Sequence, residues 1–251
     1  MRQATVLVLG GTTEARELAG LLTDQGLRVV TSYAGRTTDP RKPAGETRSG
    51  GFGGAAGLRA WLAAHRPAIL VDATHPFAAT VSAHAAEAHG VPRLRLVRPG
   101  WIQEPGDRWL RVDSLDRAAD LLPATGRRAL ITTGRQRIAT FTAHPACAAL
   151  PLLVVRCVEP PDGDDLPGNV HVVLDRGPFT LDHERDLLEA HAIDVVVAKD
   201  SGGDATRAKL DAARERGIPV ILVDRPRAAA MPTVHTPEAA AAWVRELLSD
   251  A

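Results

Sequence analysis

The sequence has few of the residues on which several protein classes depend. Of its 251 residues only 2 are cysteine, without C-x-x-C spacing, which excludes a disulfide framework and predicts a reducing, cytoplasmic compartment. Aromatic residues make up 4%, too few for platforms that stack single-stranded nucleic acid. The 30 basic and 30 acidic residues cancel, so no excess charge favours a nucleic-acid or membrane partner.

Long hydrophobic runs and metal-binding patterns are also missing. No apolar run approaches the roughly 18 residues of a membrane span, and the first residues lack the basic and apolar regions of a signal peptide. The 9 histidines show no H-x-x-x-H pattern, so we predict no metal site. The chain is long enough for one large or two medium-sized α/β domains with a sizeable core.

A glycine turn near the N-terminus organises the rest of the chain. The apolar run TVLVL is followed directly by Gly10, Gly11, Thr12 and Thr13, and then by a helical pattern of alanine and leucine. In such a unit the first amides of the helix point outward at the positive end of its dipole, where a phosphate group can bind. The spacing is not G-x-G-x-x-G, because Thr12 replaces the second glycine. These residues fit a dinucleotide or phosphate site, and equally a turn that binds nothing.

The next strand ends without the acidic residue that NAD-binding folds use. That residue, about 20 positions after the glycine turn, binds the ribose 2′-hydroxyl. Here the place is taken by SYAGR, with Ser32 and Arg36. A hydroxyl and a guanidinium suit a 2′-phosphate, so NADP is favoured over NAD if a dinucleotide binds. The alternative is that Arg36 is a solvated loop residue.

Glycine and proline crowd residues 39–54, DPRKPAGETRSGGFGG, and predict a loop with a short strand at residues 46–48. Gly51, Phe52 and Gly53 lie in its glycine-rich end, where the backbone can approach a ligand closely beside one aromatic ring. We favour a binding loop over a mobile linker, because a spacer has no need of a phenylalanine among four glycines.

A polar turn follows the apolar strand at residues 68–72. It reads DATHPF, and polar groups just after the carboxyl end of a parallel strand face the crevice where open α/β sheets bind ligands. His75 is therefore a candidate catalytic residue, with a plain loop histidine as the alternative. We expect a helix over residues 77–89 with Pro76 in its first turn, and Thr74 as its N-cap if the turn is only structural.

The alternation of strands and helices predicts two α/β halves: a dinucleotide-binding lobe over residues 1–100 and a second lobe over residues 101–251. They join at residues 98–109, RPGWIQEPGDRW, which break the pattern. The final helix is expected over residues 237–248.

In the second half, too, glycine-bearing polar loops follow the predicted strands. One contains Arg135, another contains Arg176, and the sequence KDSGG, which begins at Lys199, follows the most hydrophobic strand. Because such loops lie at carboxyl strand ends in both halves, a cleft between the lobes is the expected site.

Taken in order, these loops closely resemble those of the precorrin-6A reductase family, including its cobalt-precorrin-6A form. The segments that carry the resemblance are GGTTEAR, AGR, RSGGFGG, DATHPFA, RPGW, TTGRQ, RGPF and KDSGG with TRAKLDAA, and they span nearly the whole chain. One departure is Asp200, where the family more often has asparagine; its charge argues against a direct role in binding an anion. The resemblance implies an α/β fold of two Rossmann-like lobes with mainly parallel sheets, and NADPH-dependent reduction of a macrocycle double bond that converts precorrin-6A to precorrin-6B.

The residues and the resemblance together predict roles for individual side chains. Lys199 would stabilise charge that builds up during hydride transfer, and His75 would donate the proton. The substrate is a tetrapyrrole rimmed with carboxylates, so a protein of zero net charge needs local cations. The predicted cofactor-binding residues are Gly10, Gly11, Thr12 and Thr13 for the pyrophosphate and Ser32 and Arg36 for the 2′-phosphate. The predicted substrate-binding residues are Arg48, Gly51, Phe52, Gly53, Arg135, Arg176, Ser201, Gly202 and Gly203.

Two other functions fit a pair of α/β lobes around a cleft. A nucleotide-sugar glycosyltransferase would bind a UDP- or GDP-sugar and leave nicotinamide fluorescence unchanged. A hinge-closing small-molecule binding protein would respond to neither nicotinamide cofactor, although most proteins of that kind that serve transporters are exported.

Overall fold

The computed structural model describes residues 3–33, 43–161 and 166–249, and the chain divides into two compact units. The first unit comprises Met1–Pro99 and Pro226–Ala251, and the second comprises Gly100–Arg225. The strands formed by the described residues are β1 Thr5–Leu9, β2 Arg28–Tyr33, β3 Glu46–Ser49, β4 Ile69–Asp72, β5 Arg93–Leu96, β6 Trp109–Val112, β7 Arg128–Ile131, β8 Leu152–Cys157, β9 Val170–Leu174, β10 Val195–Lys199, β11 Val220–Val223 and β12 Thr233–Val234. The α-helices are α1 Thr13–Asp24, α2 Gly54–His65, α3 Ala79–Ala86, α4 Leu115–Thr125, α5 Ala139–Thr142, α6 Pro145–Ala148, α7 Leu181–Ala190, α8 Ala208–Glu215 and α9 Pro237–Ser249. Short 3-10 helices cover Arg135–Arg137 and Asp204–Thr206.

The first unit contains a parallel sheet with the strand order β12-β5-β4-β1-β2-β3. From β1 the chain proceeds to β2 and β3 on one side, and then continues with β4 and β5 on the other. This is the order of dinucleotide-binding Rossmann folds, and the direction reverses between β1 and β4. Ligands of such sheets bind outside the carboxyl ends of the strands at the reversal point.

The second unit repeats the plan with the strand order β6-β11-β10-β7-β8-β9, again all parallel. Here the chain proceeds from β7 to β8 and β9, and then from β10 to β11, so the reversal point lies between β7 and β10. The outer strand beside β11 is β6, which precedes β7 in the chain. The predicted α/β class with two Rossmann-like lobes is confirmed.

The apolar run of β1 is continuous because helices cover both faces of the sheet. Val6 and Val8 belong to a buried cluster that includes residues of α1 and α9. Leu7 and Leu9 point to the other face and pack with residues of α2 and α3. Because successive side chains of β1 are buried on opposite faces, the strand is held in one register and leads into the glycine turn at a fixed place.

The C-terminal segment belongs to the first unit, so the second unit ends at Arg225 where the sequence analysis extended it to residue 251. Two contacts explain the difference. Strand β12 pairs with β5, and the buried α9 residues Ala240 and Val244 pack in the cluster that contains α1. The apolar face of α9 predicts a packed helix but does not specify its partner, which lies at the far end of the chain.

Two local predictions differ from the structure. Residues 109–112 form β6, although the sequence analysis placed Trp109 in a connection; the strand is short and half of its residues are exposed. The helix expected over residues 77–89 is only α3, and its N-cap is Ala78 rather than Thr74. Thr74 instead donates its hydroxyl and its amide to Asp72 Oδ1, which closes a turn that delays the helix.

Within the described part of the chain, no helix combines the length and apolar character needed to cross a membrane.

Candidate functional site

The turn after β1 has the form of a phosphate-binding turn. A Cβ on Gly10 would lie 2.7 Å from Cγ2 of Thr31 on β2, so only glycine allows the strands to stay this close. Gly11 has a φ of +122°, and the position its Cβ would occupy has no atom within 4 Å, so its backbone borders open space. Thr12 caps α1 by accepting from the Ala15 amide at 3.1 Å, while its hydroxyl donates to the carbonyl of Ala73 at 2.9 Å. Thr12 thus ties the turn to the end of β4, across the reversal point of the sheet.

Ser32 and Arg48, which the sequence analysis assigned to different ligands, form one cluster. They pair in register on β2 and β3, and Arg48 Nη1 donates to Ser32 Oγ at 2.7 Å. The Gly10 amide donates to the Ser32 carbonyl at 2.9 Å, so the cluster adjoins the glycine turn. Burial lowers the pKa of the Arg48 guanidinium from its ordinary value. Arg36 lies outside the described residues.

Arg16 is a second cation beside the glycine turn, and its position in the segment GGTTEAR predicted no role for it. Its guanidinium donates to Thr13 Oγ1 at 3.0 Å, and its charge acts on Tyr33 at the end of β2. Burial raises the pKa of the Tyr33 phenol, and the charge of Arg16 opposes that rise. Among the residues that the structure describes, no carboxylate forms an ion pair with Arg16 or Arg48. The sequence carries one signal for the contact between Thr13 and Arg16. The two residues are three positions apart on a helix, a spacing that makes their side chains neighbours.

The glycine-rich loop after β3 is packed against the protein. Phe52 lies between the Arg48 guanidinium, 3.9 Å from its ring centre, and Trp61 of α2, whose ring centre is 5.9 Å away in an edge-on arrangement. A Cβ on Gly57 would lie 1.6 Å from the Phe52 carbonyl oxygen, so the loop contacts the helix backbone directly. Gly53 has a φ of 78° and directly precedes α2, while Gly51 accepts from Arg48. The ring of Phe52 therefore orients Arg48.

His75 lies in the turn after β4 and is half-buried. Its Nδ1 accepts the Phe77 amide at 3.2 Å, which requires that nitrogen to be unprotonated and places a proton of the neutral ring on Nε2. Asp72, which the sequence analysis left without a role, is buried, and its Oδ1 shapes the turn through Thr74. The turn thus holds an imidazole at the carboxyl edge of the first sheet, as predicted.

In the second unit, Lys199 bridges the two strands at the reversal point. It ends β10, and its Nζ donates to the carbonyl of Thr133, just beyond β7, at 2.7 Å. The two loops that follow these strands have matching geometry. Gly134 has φ 84° and ψ 162°, Gly203 has φ 76° and ψ 157°, and each precedes a 3-10 helix. This backbone conformation is essentially restricted to glycine.

Asp200 acts within the protein and explains how the loop after β10 is held. It is buried, accepts the Trp101 amide at 3.0 Å and pairs with Arg111 of β6 at 3.0 Å. The Trp101 indole donates to the Gly203 carbonyl at 2.9 Å. The Asp200 carboxylate thus has partners within the second unit, which agrees with the expectation that it does not bind an anion.

The remaining predicted residues of this loop are close together. Ser201 is buried, and its hydroxyl lies 3.3 Å from that of Thr206. Gly202 has a φ of 65°, so Gly202 and Gly203 both need the left-handed region. The loop can make this sharp turn only with glycine at these positions.

Arg135 and Arg176 follow β7 and β9. Arg135 donates to the Pro160 carbonyl at 3.2 Å and pairs with Glu159 at 3.4 Å, so its charge is partly compensated. Arg176 is exposed, and its amide donates to the Asp175 side chain at 2.8 Å. The amide of Phe179, in the same segment, donates to the Ala205 carbonyl at 3.3 Å, which joins the loops after β9 and β10.

Comparisons with known proteins agree with this geometry. The family model of precorrin-6x reductase CbiJ/CobK matches residues 5–245. The chain belongs to this family. It is 46% identical over 247 residues to a precorrin-6A reductase of Rhodococcus erythropolis, covering 96% of this chain and 98% of the relative. The solved structure of a CobK precorrin-6A reductase is 42% identical, with a TM-score of 0.90 over 98% of this chain and 97% of that one. A cobalt-precorrin-6A reductase of Salmonella typhimurium is 29% identical over 246 residues, covering 90% of this chain and 89% of the relative.

Family membership makes the protein a reductase of cobalamin biosynthesis, and the reduction implies a nicotinamide cofactor. A nucleotide-sugar glycosyltransferase and a non-catalytic binding protein are thereby disfavoured. The roles of the individual site residues stay predictions.

Proposed function

We propose that this protein catalyses the NADPH-dependent reduction of a double bond in precorrin-6A to give precorrin-6B. The observation that carries the proposal is the family match over nearly the whole chain, in which the family's glycine loops occupy carboxyl strand ends of two Rossmann-type sheets. The glycine turn of the first unit would bind the cofactor, and the predicted substrate-binding residues would bind the tetrapyrrole. A cytoplasmic location accompanies this proposal.

The turn at Gly10 and Gly11 suits the pyrophosphate of the cofactor. Gly11 presents its backbone to open space, and the first amides of α1 have no acceptor within the helix. Thr12 satisfies one of these amides and leaves those of Thr13 and Glu14 to a ligand. NADPH, when bound, supplies the hydride.

The preference for NADPH over NADH is proposed to come from Ser32 and Arg48, together with Arg36 and with Arg16 nearby. Arg48 is part-desolvated, and an anion placed beside it would restore the electrostatic stabilisation that burial removes. A phosphate that accepts from a guanidinium gains charge-assisted hydrogen bonds, which are about twice as strong as neutral ones. A carboxylate at this strand end would repel the same phosphate.

The tetrapyrrole would be held by cations and flexible glycine backbone. Arg176 and Arg135 would bind peripheral carboxylates, and the loops containing residues 51–53 and 201–203 would approach the ring. Lys199 is fixed by the Thr133 carbonyl, so its charge is already in place when negative charge builds up in the macrocycle. His75 would deliver the proton from Nε2, the nitrogen opposite the one that accepts from Phe77.

A metal-free macrocycle is the proposed substrate. The relative called a precorrin-6A reductase shares 46% of its residues with this chain, and the one called a cobalt-precorrin-6A reductase shares 29%. Both identities are averages over alignments that cover 96% and 90% of this chain, so the comparison favours the metal-free form without assigning the preference to any one loop.

The proposal is tested by anaerobic turnover of metal-free and cobalt-containing precorrin-6A with NADPH or NADH, followed by the absorbance of both cofactor and macrocycle. We expect one NADPH oxidised per macrocycle reduced, with the metal-free substrate faster and NADH poorer. Binding of NADPH without any change in the macrocycle spectrum would contradict the proposal.

A further inference from the structure

An ion pair is buried inside the second unit beside the RGPF segment. Arg156 of β8 is 5% exposed and Glu184 of α7 is 0% exposed, and Arg156 Nη2 lies 2.9 Å from Glu184 Oε1. The ring of Phe179 covers the guanidinium, with the Arg156 Cζ 3.9 Å from the ring centre. The pair therefore connects the sheet, helix α7 and the aromatic residue that precedes that helix.

Burying this ion pair between β8 and α7 costs free energy of desolvation. Within the described part of the chain, Arg156 Nη1 and both Glu184 oxygens lack a hydrogen-bond partner, because the close approach of the two charges does not have hydrogen-bond geometry. Removing two charges from water usually costs as much as their attraction returns, and apolar residues of similar volume serve stability as well or better. Stability alone does not account for the two charges, and the aromatic ring stacked on the Arg156 guanidinium is that of Phe179.

Phe179 lines an open hollow of about 200 Å³ together with Asp175, Pro178, Thr180 and His183. His183 Nε2 lies 2.7 Å from Asp175 Oδ2, so the carboxylate has a partner that compensates its charge when the imidazole is protonated. Arg176, an exposed cation, follows Asp175 directly in the chain. The Phe179 amide also contacts Ala205, which lies close to the Ser201 to Gly203 turn.

We propose that Arg156 and Glu184 are positioning residues that hold Phe179 as the aromatic wall of a hollow that binds one edge of the tetrapyrrole. The proposal rests on the proposed function, because that function supplies the flat, carboxylate-rimmed ligand. Phe179 would contact the apolar ring system, and Arg176 would bind a peripheral carboxylate. The cation beneath Phe179 fixes the height and tilt of the ring, which packing against aliphatic side chains would leave less defined.

The decisive variant replaces both charges together, Arg156→Met with Glu184→Leu. Because no charge is left unpaired, we expect the fold to keep at least the parent's midpoint in urea. We expect the KM for precorrin-6A to rise about tenfold, the loss associated with one aromatic contact, while the KM for NADPH stays unchanged. Arg156→Lys, which keeps a cation under the ring, is expected to fall between the parent and the double variant.

The matched control is Glu215→Gln, which removes an exposed ion pair with Arg185 between α8 and α7. It should leave the KM for precorrin-6A unchanged. A folded double variant with the parent's KM for precorrin-6A overturns the proposal. Phe179→Leu leaves the ion pair intact and is expected to raise the same KM, so an unchanged KM in this variant overturns the proposal even if the double variant does not fold. Failure of the parent itself to reduce precorrin-6A would instead count against the proposed function.

Discussion

At the scale of single residues, the space around Gly10 determines how close β1 and β2 can lie. Its predicted Cβ clash is with Thr31, a β-branched side chain that is fully buried and cannot swing away. The sequence shows that a glycine is there, but only the structure shows that a neighbouring side chain, rather than a positive φ, requires it.

Gly10→Ala is expected to destabilise the protein by about 1–3 kcal/mol, because the added methyl group forces the turn away from Thr31. The control is Gly20→Ala within α1, where the added methyl group meets no atom within 4 Å. The free energy of unfolding of that variant should rise by about 0.5–1 kcal/mol, because alanine has a higher helix propensity than glycine. Urea unfolding measures both, and equal effects of the two substitutions would contradict the account of the turn.

The two thiols are expected to be unreactive in the folded protein. Burial, with a smaller contribution from Asp120, raises the pKa of Cys147 to about 11, and burial also raises the pKa of Cys157. The thiolate is the reactive form, so labelling by a disulfide reagent at pH 8 should be slow and should speed up as the pH rises toward 11. Both thiols should react at once in denaturant. Rapid labelling of the native protein would contradict the burial of the two thiols.

Arg48→Met is expected to raise the KM for NADPH about tenfold or more and to leave the KM for NADH nearly unchanged, because only NADPH carries the 2′-phosphate. Arg28→Met is the matched control. Arg28 begins the same strand, β2, at the opposite end from Ser32 and pairs with Glu46 on the surface. An equal loss of both cofactors in Arg48→Met would assign the arginine to another part of the ligand.

At the scale of elements, β6 and the loop after β10 are joined through Asp200. Its carboxylate binds Arg111 of β6 and the Trp101 amide, so one buried side chain orders two segments. Arg111 also contacts Asp224, which is far more exposed than Asp200. The same guanidinium therefore offers a buried and an exposed carboxylate for comparison.

Asp200→Ala is expected to lower the free energy of unfolding by about 2–4 kcal/mol. This loss is smaller than that for breaking a fully buried ion pair, because Arg111 is partly exposed. Asp224→Ala should cost less than about 1 kcal/mol. Urea unfolding gives both values, and the KM for precorrin-6A should rise only in Asp200→Ala, because the turn at Gly203 is attached to Trp101. Equal costs would mean that the buried carboxylate has no special role.

Elements with strong local patterns could be predicted from the sequence, and elements defined by distant partners could not. The run of β1, the glycine turns and the strand at Glu46–Ser49 all have local signals. Strand β12 has only two residues and exists because β5 is beside it. Likewise, the register that joins Ser32 to Arg48, and the pair of Arg156 with Glu184, depend on which strands and helices become neighbours, which periodicity does not specify.

At the scale of the whole molecule, the C-terminal segment of the chain completes the first unit. It leaves that unit after Pro99 and returns at Pro226, and α9 then covers α1. The glycine turn before α1 therefore depends on residues from the far end of the chain. This dependence predicts that damage to α9 acts on the first unit selectively.

Val244→Asp is expected to destabilise the first unit by about 3 kcal/mol or more, because it buries a charge among apolar residues. Arg245→Asp, on the exposed side of the same helix, is the control. Hydrogen exchange should show faster exchange of amides in β1 and β4 and unchanged exchange in β7 and β10. Loss of protection in both sheets to the same degree would show that the units unfold as one.

The central claim is that this protein transfers a hydride from NADPH to precorrin-6A. The most direct test follows deuterium from the cofactor into the product. NADPH carrying two deuterium atoms at the nicotinamide C4 is supplied in ordinary water under anaerobic conditions, and the product is analysed by mass spectrometry. The account predicts one deuterium in each product macrocycle, with the second new hydrogen coming from solvent. A reduced product without deuterium, or no reduced product at all, would contradict it.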